Sequence, residues 1–162
     1  MNGFRSAQAN VFVHVPPEAA FALLDDHARL SGHMEKRSAM MLGSSMRYEV
    51  DRLGFRAVGS ILRFEGRVAC WHLFAEEEVV EREPPFRKVW QTRGTPRLLL
   101  IGPYRMGFGI RPAETGSLIR VFLEYRLPEG LAACVGFVLA PAYARWCVQR
   151  MARVVARAVP ST

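Results

Sequence analysis

The sequence predicts an α+β protein in which an antiparallel sheet packs against one long C-terminal helix. Between residues 38 and 127, apolar residues alternate with charged ones, which is typical of strands with one buried and one solvated face. In the last segment the apolar residues instead follow the period of an α-helix. A sheet with a single amphipathic helix on its apolar face is a stable two-layer architecture, because the apolar faces of both elements are buried against each other.

The first strand is predicted from valines at positions 11, 13 and 15, and it ends at Pro16 and Pro17. Pro17 suits the first turn of a helix, and Glu18 suits the positive end of the helix dipole. We therefore expect a short helix over residues 19–26. A second short helix or turn is expected over residues 27–34.

The sheet is predicted from runs in which every second residue is apolar. The clearest of these runs cover residues 46–50, 62–64, 104–110 and 119–125. Turn-forming residues separate the runs at 52–54, 83–85, 95–96 and 113–116. About six strands are therefore expected after the short helices.

The long helix has two different halves. After Pro141, one arc of the helix is apolar and the opposite arc carries Arg150, Arg153 and Arg157. Before Pro141 the helix is apolar on all sides. Such a segment must be buried or must cover an apolar molecule.

Length and composition indicate one globular domain spanning residues 1–162. Half of the residues are hydrophobic (50%) and 23% are charged, which disfavours disorder and coiled coils. The net charge is +7 and the positive charge is concentrated in the second half, mostly as arginine. This asymmetry indicates either an anionic partner or simply solvated arginine-rich faces.

The compartment is predicted from the cysteines and the N-terminus. Cys70, Cys134 and Cys147 are odd in number and unpaired in spacing, so we expect inert or buried thiols in a reducing cytoplasm. The first ten residues lack the apolar core of a signal peptide. The longest uncharged stretch, residues 130–144, contains Pro141 and is too short to span a bilayer. A soluble, cytoplasmic protein is expected.

Three local patterns, in their order along the chain, resemble the START/polyketide-cyclase (SRPBCC) superfamily, which includes the birch pollen allergen. The opening strand and helix are represented by Val13, Val15, Pro16, Pro17, Glu18, Phe21, Leu24 and Asp26. The strand, turn and strand with a tryptophan are represented by Val79, Glu81, Arg82, Glu83, Pro84, Pro85, Arg87 and Trp90. The closing strand is represented by residues 117–127, followed by the long helix.

The resemblance implies a helix-grip fold, with two short helices after the first strand. In that fold a curved seven-stranded antiparallel sheet wraps around the long C-terminal helix and encloses an apolar cavity. One departure concerns residues 31–34, where many relatives have a tryptophan followed by a proline. The resemblance does not imply one reaction, because the superfamily contains carriers, cyclases, hydroxylase components and receptors.

Apolar and tyrosine side chains on the inner faces are the candidate ligand-binding residues. Tyrosine hydroxyls on an inner face favour a cavity over a closed core, because a ligand or water can supply their polar partner. The candidates are Phe21, His33, Tyr48, Phe64, Trp90, Tyr104, Met106, Phe108, Tyr125, Phe137 and Tyr143.

No catalytic, metal or cofactor site is predicted. The four histidines, His14, His27, His33 and His72, show no metal-ligand spacing, and no G-x-S-x-G nucleophile motif occurs. The glutamates at 76–78 are expected on a solvated strand edge. If one of them turned inward beside an arginine, it could act as an acid or base.

The first functional hypothesis is binding or carriage of an apolar small molecule, such as a lipid, isoprenoid or polyketide-like compound. Tyr48, Tyr125 or His33 would fix its orientation, and apolar burial would supply most of the affinity. The first alternative is an aromatase/cyclase-type enzyme that uses His33, Tyr48, His72 or Tyr125.

The second alternative is a membrane-associated helper that handles a lipid quinone. It depends on the apolar run at 98–101, which Arg93, Arg97 and Arg105 flank in the sequence. Such a rim suits transient contact with an anionic membrane. Nucleic-acid binding is not expected, because no recognised module accompanies the basic stripe of the helix.

Overall fold

The fold is a single antiparallel sheet with a long helix packed against it. The computed structural model describes residues 3–26, 45–68, 70–130 and 132–159. The strands are β1 (Arg5–Val13), β2 (Ser45–Val50), β3 (Ile61–Val68), β4 (Trp71–Glu83), β5 (Arg87–Arg97), β6 (Tyr104–Ala113) and β7 (Gly116–Tyr125). The helices are α1 (Pro17–Asp25) and α2 (Ala132–Ala158). The helix or turn predicted over residues 27–34 lies outside the described residues.

The sheet has seven strands in the order β1-β7-β6-β5-β4-β3-β2, and each neighbouring pair is antiparallel. Strand β1 pairs with β7 along its whole length, from Arg5 opposite Tyr125 to Val13 opposite Ser117. Helix α2 packs chiefly on these two strands. The seven-stranded helix-grip architecture expected from the sequence is therefore confirmed.

Each strand buries one face, as its alternating pattern predicts. In β7 the buried side chains are Ile119, Val121, Leu123 and Tyr125, while the residues between them are more exposed. The core lies between this face and α2.

The turn predicted at residues 95–96 is wrong. Strand β5 continues through Pro96 to Arg97, and the chain turns over residues 98–103 instead. Proline is tolerated at that position because β6 pairs with β5 only as far as Gln91. No ladder hydrogen bond to β6 is therefore lost.

Helix α1 begins at Pro17, two residues before the predicted range of 19–26, and buries Ala20, Phe21 and Leu24. Its last residue, Asp25, is buried and accepts hydrogen bonds from Lys88 Nζ (2.8 Å) and Arg82 Nη2 (2.8 Å). These ion pairs tie the end of α1 to strands β4 and β5.

Residues 51–60, between β2 and β3, cover the same end of the sheet. Asp51 organises this segment by accepting hydrogen bonds from the Ser60 hydroxyl (2.6 Å) and the Ile61 amide (2.8 Å). The segment places Phe55 in the core, where its carbonyl oxygen accepts a hydrogen bond from Lys88 (2.7 Å). This end of the interior is therefore closed.

Helix α2 does not distribute its side chains in the usual way. In its first half the inward positions carry small residues, Gly136 and Ala140, both of which are buried. The large apolar residues Val135, Val138 and Leu139 point outward and are exposed. Of the two alternatives expected for this half, burial holds only for its small inward residues, and the covering of an apolar molecule stays a prediction.

The cysteine prediction is also only partly correct, since Cys70 and Cys134 are exposed and Cys147 is half-buried. Within the described part of the chain, no helix is long and apolar enough to cross a bilayer.

Candidate functional site

The interior contains a buried carboxyl group, Glu77 of β4. The side chains of Leu73, Ala75, Glu77 and Val79 alternate toward the core, so period two directs Glu77 inward. Glu76 and Glu78 point away from the core, and Glu76 pairs there with Arg63 at 2.5 Å. The expectation of a solvated edge is therefore wrong for Glu77, whose residue exposure is only 7%.

Two aromatic side chains hold the Glu77 carboxyl. The Tyr104 hydroxyl donates a hydrogen bond to Glu77 Oε1, and the Trp90 indole is a second hydrogen-bonding partner. Burial raises the pKa of Glu77 to about 7, against the lowering effect of these two hydrogen bonds and of the Lys88 charge. Near neutral pH, Glu77 therefore exists as a mixture of the acid and the carboxylate.

Tyr104 is suited to act only as a donor. Burial, together with the adjacent Glu77 carboxyl, raises the pKa of Tyr104 well above its ordinary value of 10.0. The phenol therefore stays protonated at any physiological pH. It stabilises the carboxylate form of Glu77, and burial favours the acid form.

Helix α2 contributes a second pair of polar side chains. Tyr143 and Cys147 lie one turn apart and are hydrogen-bonded. Burial raises the pKa of the Cys147 thiol to about 12, so it remains a neutral thiol rather than a nucleophile. The pKa of Tyr143 is also raised well above 10.0. The largest cause is repulsion between the two anions that Cys147 and Tyr143 would form, and the next cause is burial. The charge on Glu77 also contributes to the raised pKa of Tyr143.

We call the set Glu77, Trp90, Tyr104, Tyr143 and Cys147 the interior polar cluster. It differs from the ion pair of Asp25 and Lys88, which belongs to the closed end. The hydrogen bonds from Arg82 and Lys88 outweigh burial and lower the pKa of Asp25. Burial lowers the pKa of Lys88, although Asp25 opposes that effect.

The side of the interior that lies toward β2 and β3 has an apolar cluster of its own. Phe64 belongs to a second apolar cluster, separate from the main core, with Val68, Leu73 and Ala75. Tyr48 and Leu98 pack against both clusters and remain half-buried. A ligand entering between the two clusters would meet apolar walls and the interior polar cluster.

The structure separates the predicted binding residues into two groups. Tyr48 and Phe64 lie at the second apolar cluster, and Tyr104 and Tyr143 lie at the polar cluster. Met106 packs against the main core. Trp90 is hydrogen-bonded to Glu77 of the polar cluster. Its ring also contacts the ring of Phe55 at the closed end.

Phe21, Phe108 and Tyr125 lie in the packed core. The ring of Phe108 contacts the rings of Phe21 and Trp90 edge-on, at centroid distances of 5.6 and 6.5 Å. Tyr125 is only 2% exposed and lies at the end of β7, opposite Arg5 of β1 and Tyr104 of β6. All three side chains belong to the main core cluster.

Two further candidates, Phe137 and His72, are exposed. Phe137 is 61% exposed and lies outside the interior, because its position on α2 faces strand β1, where the Arg5 guanidinium covers its ring at 4.7 Å. His72, an alternative acid–base candidate, is exposed on β4. His33 lies outside the described residues.

Sequence reasoning missed Glu77 and Cys147 as members of the site. The signal for Glu77 was the alternation of residues 73–79, in which it occupies an inward position. A run of three glutamates concealed that alternation. For Cys147, the signal was its spacing of four residues from Tyr143 on the helix.

Similar solved structures exist, although no family model and no curated protein matches this chain. The Zhui aromatase/cyclase from a Streptomyces species matches with a TM-score of 0.71 and 11% identity, covering 96% of this chain and 93% of that one. Norcoclaurine synthase from Thalictrum flavum matches with a TM-score of 0.66 and 14% identity, covering 98% of this chain and 95% of that one.

A third structure, Ara h 8.0201, matches with a TM-score of 0.58 and 11% identity, covering 94% of this chain and 98% of that one. All three have the fold of the SRPBCC superfamily. The chain therefore has the helix-grip fold of that superfamily, as its sequence patterns implied. At these identities the likeness establishes the fold and leaves the activity to be argued from the site.

Proposed function

We propose that this chain is a single ligand-binding domain, residues 1–162, that binds an apolar small molecule carrying at least one oxygen function. The observation that carries the proposal is the Glu77 carboxyl, buried among aromatic side chains beside the half-buried side of the interior. A buried carboxyl with a pKa of about 7 lowers stability at neutral pH. A binding role accounts for its presence better than a structural one does.

The two parts of the site have different roles in this proposal. The apolar walls supply affinity, since each buried methylene contributes about 0.8 kcal/mol. The polar cluster supplies orientation, because the acid form of Glu77 can donate a hydrogen bond to a carbonyl or hydroxyl oxygen. Lipids, isoprenoids, quinones and polyketide-like compounds all combine these features.

Two of the structural neighbours support a small-molecule site in this fold. Norcoclaurine synthase has been solved in complex with dopamine and hydroxybenzaldehyde, and another neighbour is an aromatase/cyclase. Those names describe the neighbours. For this chain they favour the region between sheet and helix as the place to look for a ligand.

The proposal is tested by titrating the protein with the neutral fluorescent probe N-phenylnaphthylamine, and then displacing the probe with apolar alcohols, ketones and alkanes of matched size. We expect saturable binding and stronger displacement by the oxygen-bearing compounds. Glu77→Gln should reduce that preference, whereas Glu78→Gln, on the outward face, should retain it. Absence of saturable binding, or equal displacement by alkanes, would contradict the proposal.

A second candidate function is proton transfer in an aromatase/cyclase-type reaction. The specific observation that favours it is the pKa of about 7 for Glu77, which suits a group that both accepts and donates protons near neutral pH. Turnover of a polyketone surrogate by the wild type, lost in Glu77→Gln while probe binding persists, would establish it. Binding without turnover would leave the carrier or sensor function.

A cytoplasmic location remains a prediction from the sequence, and so does transient contact with an anionic membrane. The apolar run at 98–101 lies between β5 and β6, where Leu98, Leu99 and Leu100 are half-buried and Ile101 is buried. Its exposed area is therefore smaller than the sequence predicted. If this protein contacts a membrane, a larger apolar surface must contribute.

A further inference from the structure

The first half of α2 presents large apolar side chains to solvent. Val135, Phe137, Val138 and Leu139 are exposed by 53%, 61%, 71% and 47%. A surface helix normally buries its large apolar residues and exposes its polar ones. Here the buried positions carry Gly136 and Ala140 instead. The stability of the fold does not account for this arrangement, because the outward side chains add nothing to the core.

Two arginines lie beside this surface. The Arg5 guanidinium covers the Phe137 ring at 4.7 Å. Arg5 is paired with Tyr125, and the next residue, Arg126, covers the exposed ring of Phe4 at 4.3 Å. Apolar and cationic groups therefore occur together at this end of the molecule. We call Phe4, Arg5, Arg126 and the four exposed residues of α2 the helix patch.

The helix patch adjoins the segment between β5 and β6. A side-chain carbon built on Gly136 would lie 3.0 Å from the Leu100 carbonyl oxygen, so the first turns of α2 pack directly on that segment. Leu98, in the same segment, contacts both apolar clusters of the interior. The segment between β5 and β6 therefore links the helix patch to the apolar side chains around the candidate site.

We propose that the helix patch docks on the surface of an anionic phospholipid bilayer. The apolar side chains would enter the boundary between headgroups and acyl chains, and the arginines would contact the headgroup phosphates. Charge complementarity favours this occupant over a second copy of the chain. The chain carries a net charge of +7, and pairing two helix patches would bring their arginines together. The acidic residues nearest in sequence to Arg126 are Glu124 of β7 and Glu129, which precedes the helix.

This inference rests on the proposed function in one respect, because it concerns where the ligand is taken up. Docking itself is measured without any ligand, by sedimentation with vesicles of phosphatidylglycerol and phosphatidylcholine in equal parts. We expect the wild-type protein to sediment with these vesicles and to remain in solution with pure phosphatidylcholine. High salt should weaken the binding.

The decisive variant is Val138→Glu, which adds a charge at the most exposed apolar residue of the helix patch. The matched control is Val58→Glu, an exposed valine (60%) in the segment between β2 and β3. We expect Val138→Glu to lower the vesicle affinity at least about tenfold, because the new charge must be placed in the interface. Val58→Glu should bind as the wild type does. Arg5→Gln with Arg126→Gln should reduce the preference for anionic vesicles.

Three results would overturn docking: no sedimentation of the wild type, equal loss in both valine variants, or a concentration-dependent dimer that Val138→Glu dissociates. The last would assign the patch to a second copy.

Binding of N-phenylnaphthylamine in solution separates this inference from the proposed function. A Val138→Glu protein that binds the probe but not vesicles supports docking. If the wild type sediments with vesicles but binds no probe, the docking inference stands and the proposed ligand site is rejected.

Discussion

The Tyr104 hydroxyl of β6 donates a hydrogen bond to the Glu77 carboxyl of β4, across the intervening strand β5. The bond joins two strands that are not neighbours, so it spans the inner face of the sheet rather than its ladder. It keeps a titratable group inside an apolar interior. Several measurable properties of the protein depend on this pair.

Glu77 should make the stability of the protein decrease as pH rises. The pKa of Glu77 is about 7 in the folded chain and near 4.5 when unfolded, so the folded state holds a proton that the unfolded state releases between these values. The free energy of unfolding should fall across that interval by up to about 3 kcal/mol. Urea unfolding at a series of pH values measures the slope.

The variant Glu77→Gln should remove most of that slope, since glutamine has no proton to lose. Glu78→Gln, its neighbour on the opposite face, is the control and should keep the wild-type slope. An unchanged slope in Glu77→Gln would mean that another group controls the pH dependence.

Replacing Tyr104 by Phe should move the titration of Glu77 to higher pH. The hydrogen bond from Tyr104 lowers the pKa of Glu77, so its loss leaves burial less opposed. The carboxyl stretching band of Glu77, followed by infrared spectroscopy against pH, should shift its midpoint upward from about 7. Tyr125→Phe, in the packed core, should leave the midpoint in place. A downward shift in Tyr104→Phe would contradict the assigned hydrogen bond.

Removing Asp25 from the ion pair at the closed end should lower the free energy of unfolding more than removing Lys88 does. Asp25→Ala leaves the Lys88 side chain, which is 2% exposed, without its counterion, and should cost about 3–5 kcal/mol. Lys88→Met should cost less, about 2 kcal/mol, because Asp25 keeps its pair with Arg82. Chemical denaturation at neutral pH compares the two variants. Equal losses would show that Arg82 does not compensate.

Two glycines of β6 should respond differently to substitution by alanine. At Gly107 the new carbon would lie 2.5 Å from the Lys88 carbonyl oxygen and 2.9 Å from Cζ of Phe122, so strain of about 2 kcal/mol is expected. At Gly109 nothing lies within 4 Å, and alanine should be neutral or stabilising by up to about 1 kcal/mol. Melting temperatures distinguish the two. Similar values for both variants would contradict the close approach at Gly107.

Much of the fold could be predicted from the sequence because hydrophobic periodicity directly encodes which face is buried. The alternation in β7 and the proline at the start of α1 predicted their elements correctly. The end of β5 could not be predicted, because Pro96 ends a strand only where a neighbour needs its hydrogen bond. In this sheet β6 has already ended its pairing at Gln91.

The site could be predicted only in part, because its polar residues depend on contacts between distant strands. Tyr104 and Tyr143 were expected from their positions on inner faces. Glu77 was assigned to solvent, since a buried carboxyl needs partners that its own strand does not supply. Those partners, Trp90 and Tyr104, come from β5, which neighbours β4, and from β6, the strand beyond it. Phe137 was misplaced because an all-apolar helix segment does not show which side faces the core.

The central claim is that the interior binds an apolar molecule through a buried polar cluster. Native mass spectrometry of the purified wild-type chain, with solvent extraction of what accompanies it, tests this claim most directly. We expect a discrete apolar adduct that contains oxygen, and a reduced fraction of that adduct in Glu77→Gln. A bare chain mass that no apolar alcohol or ketone shifts on addition would contradict the claim.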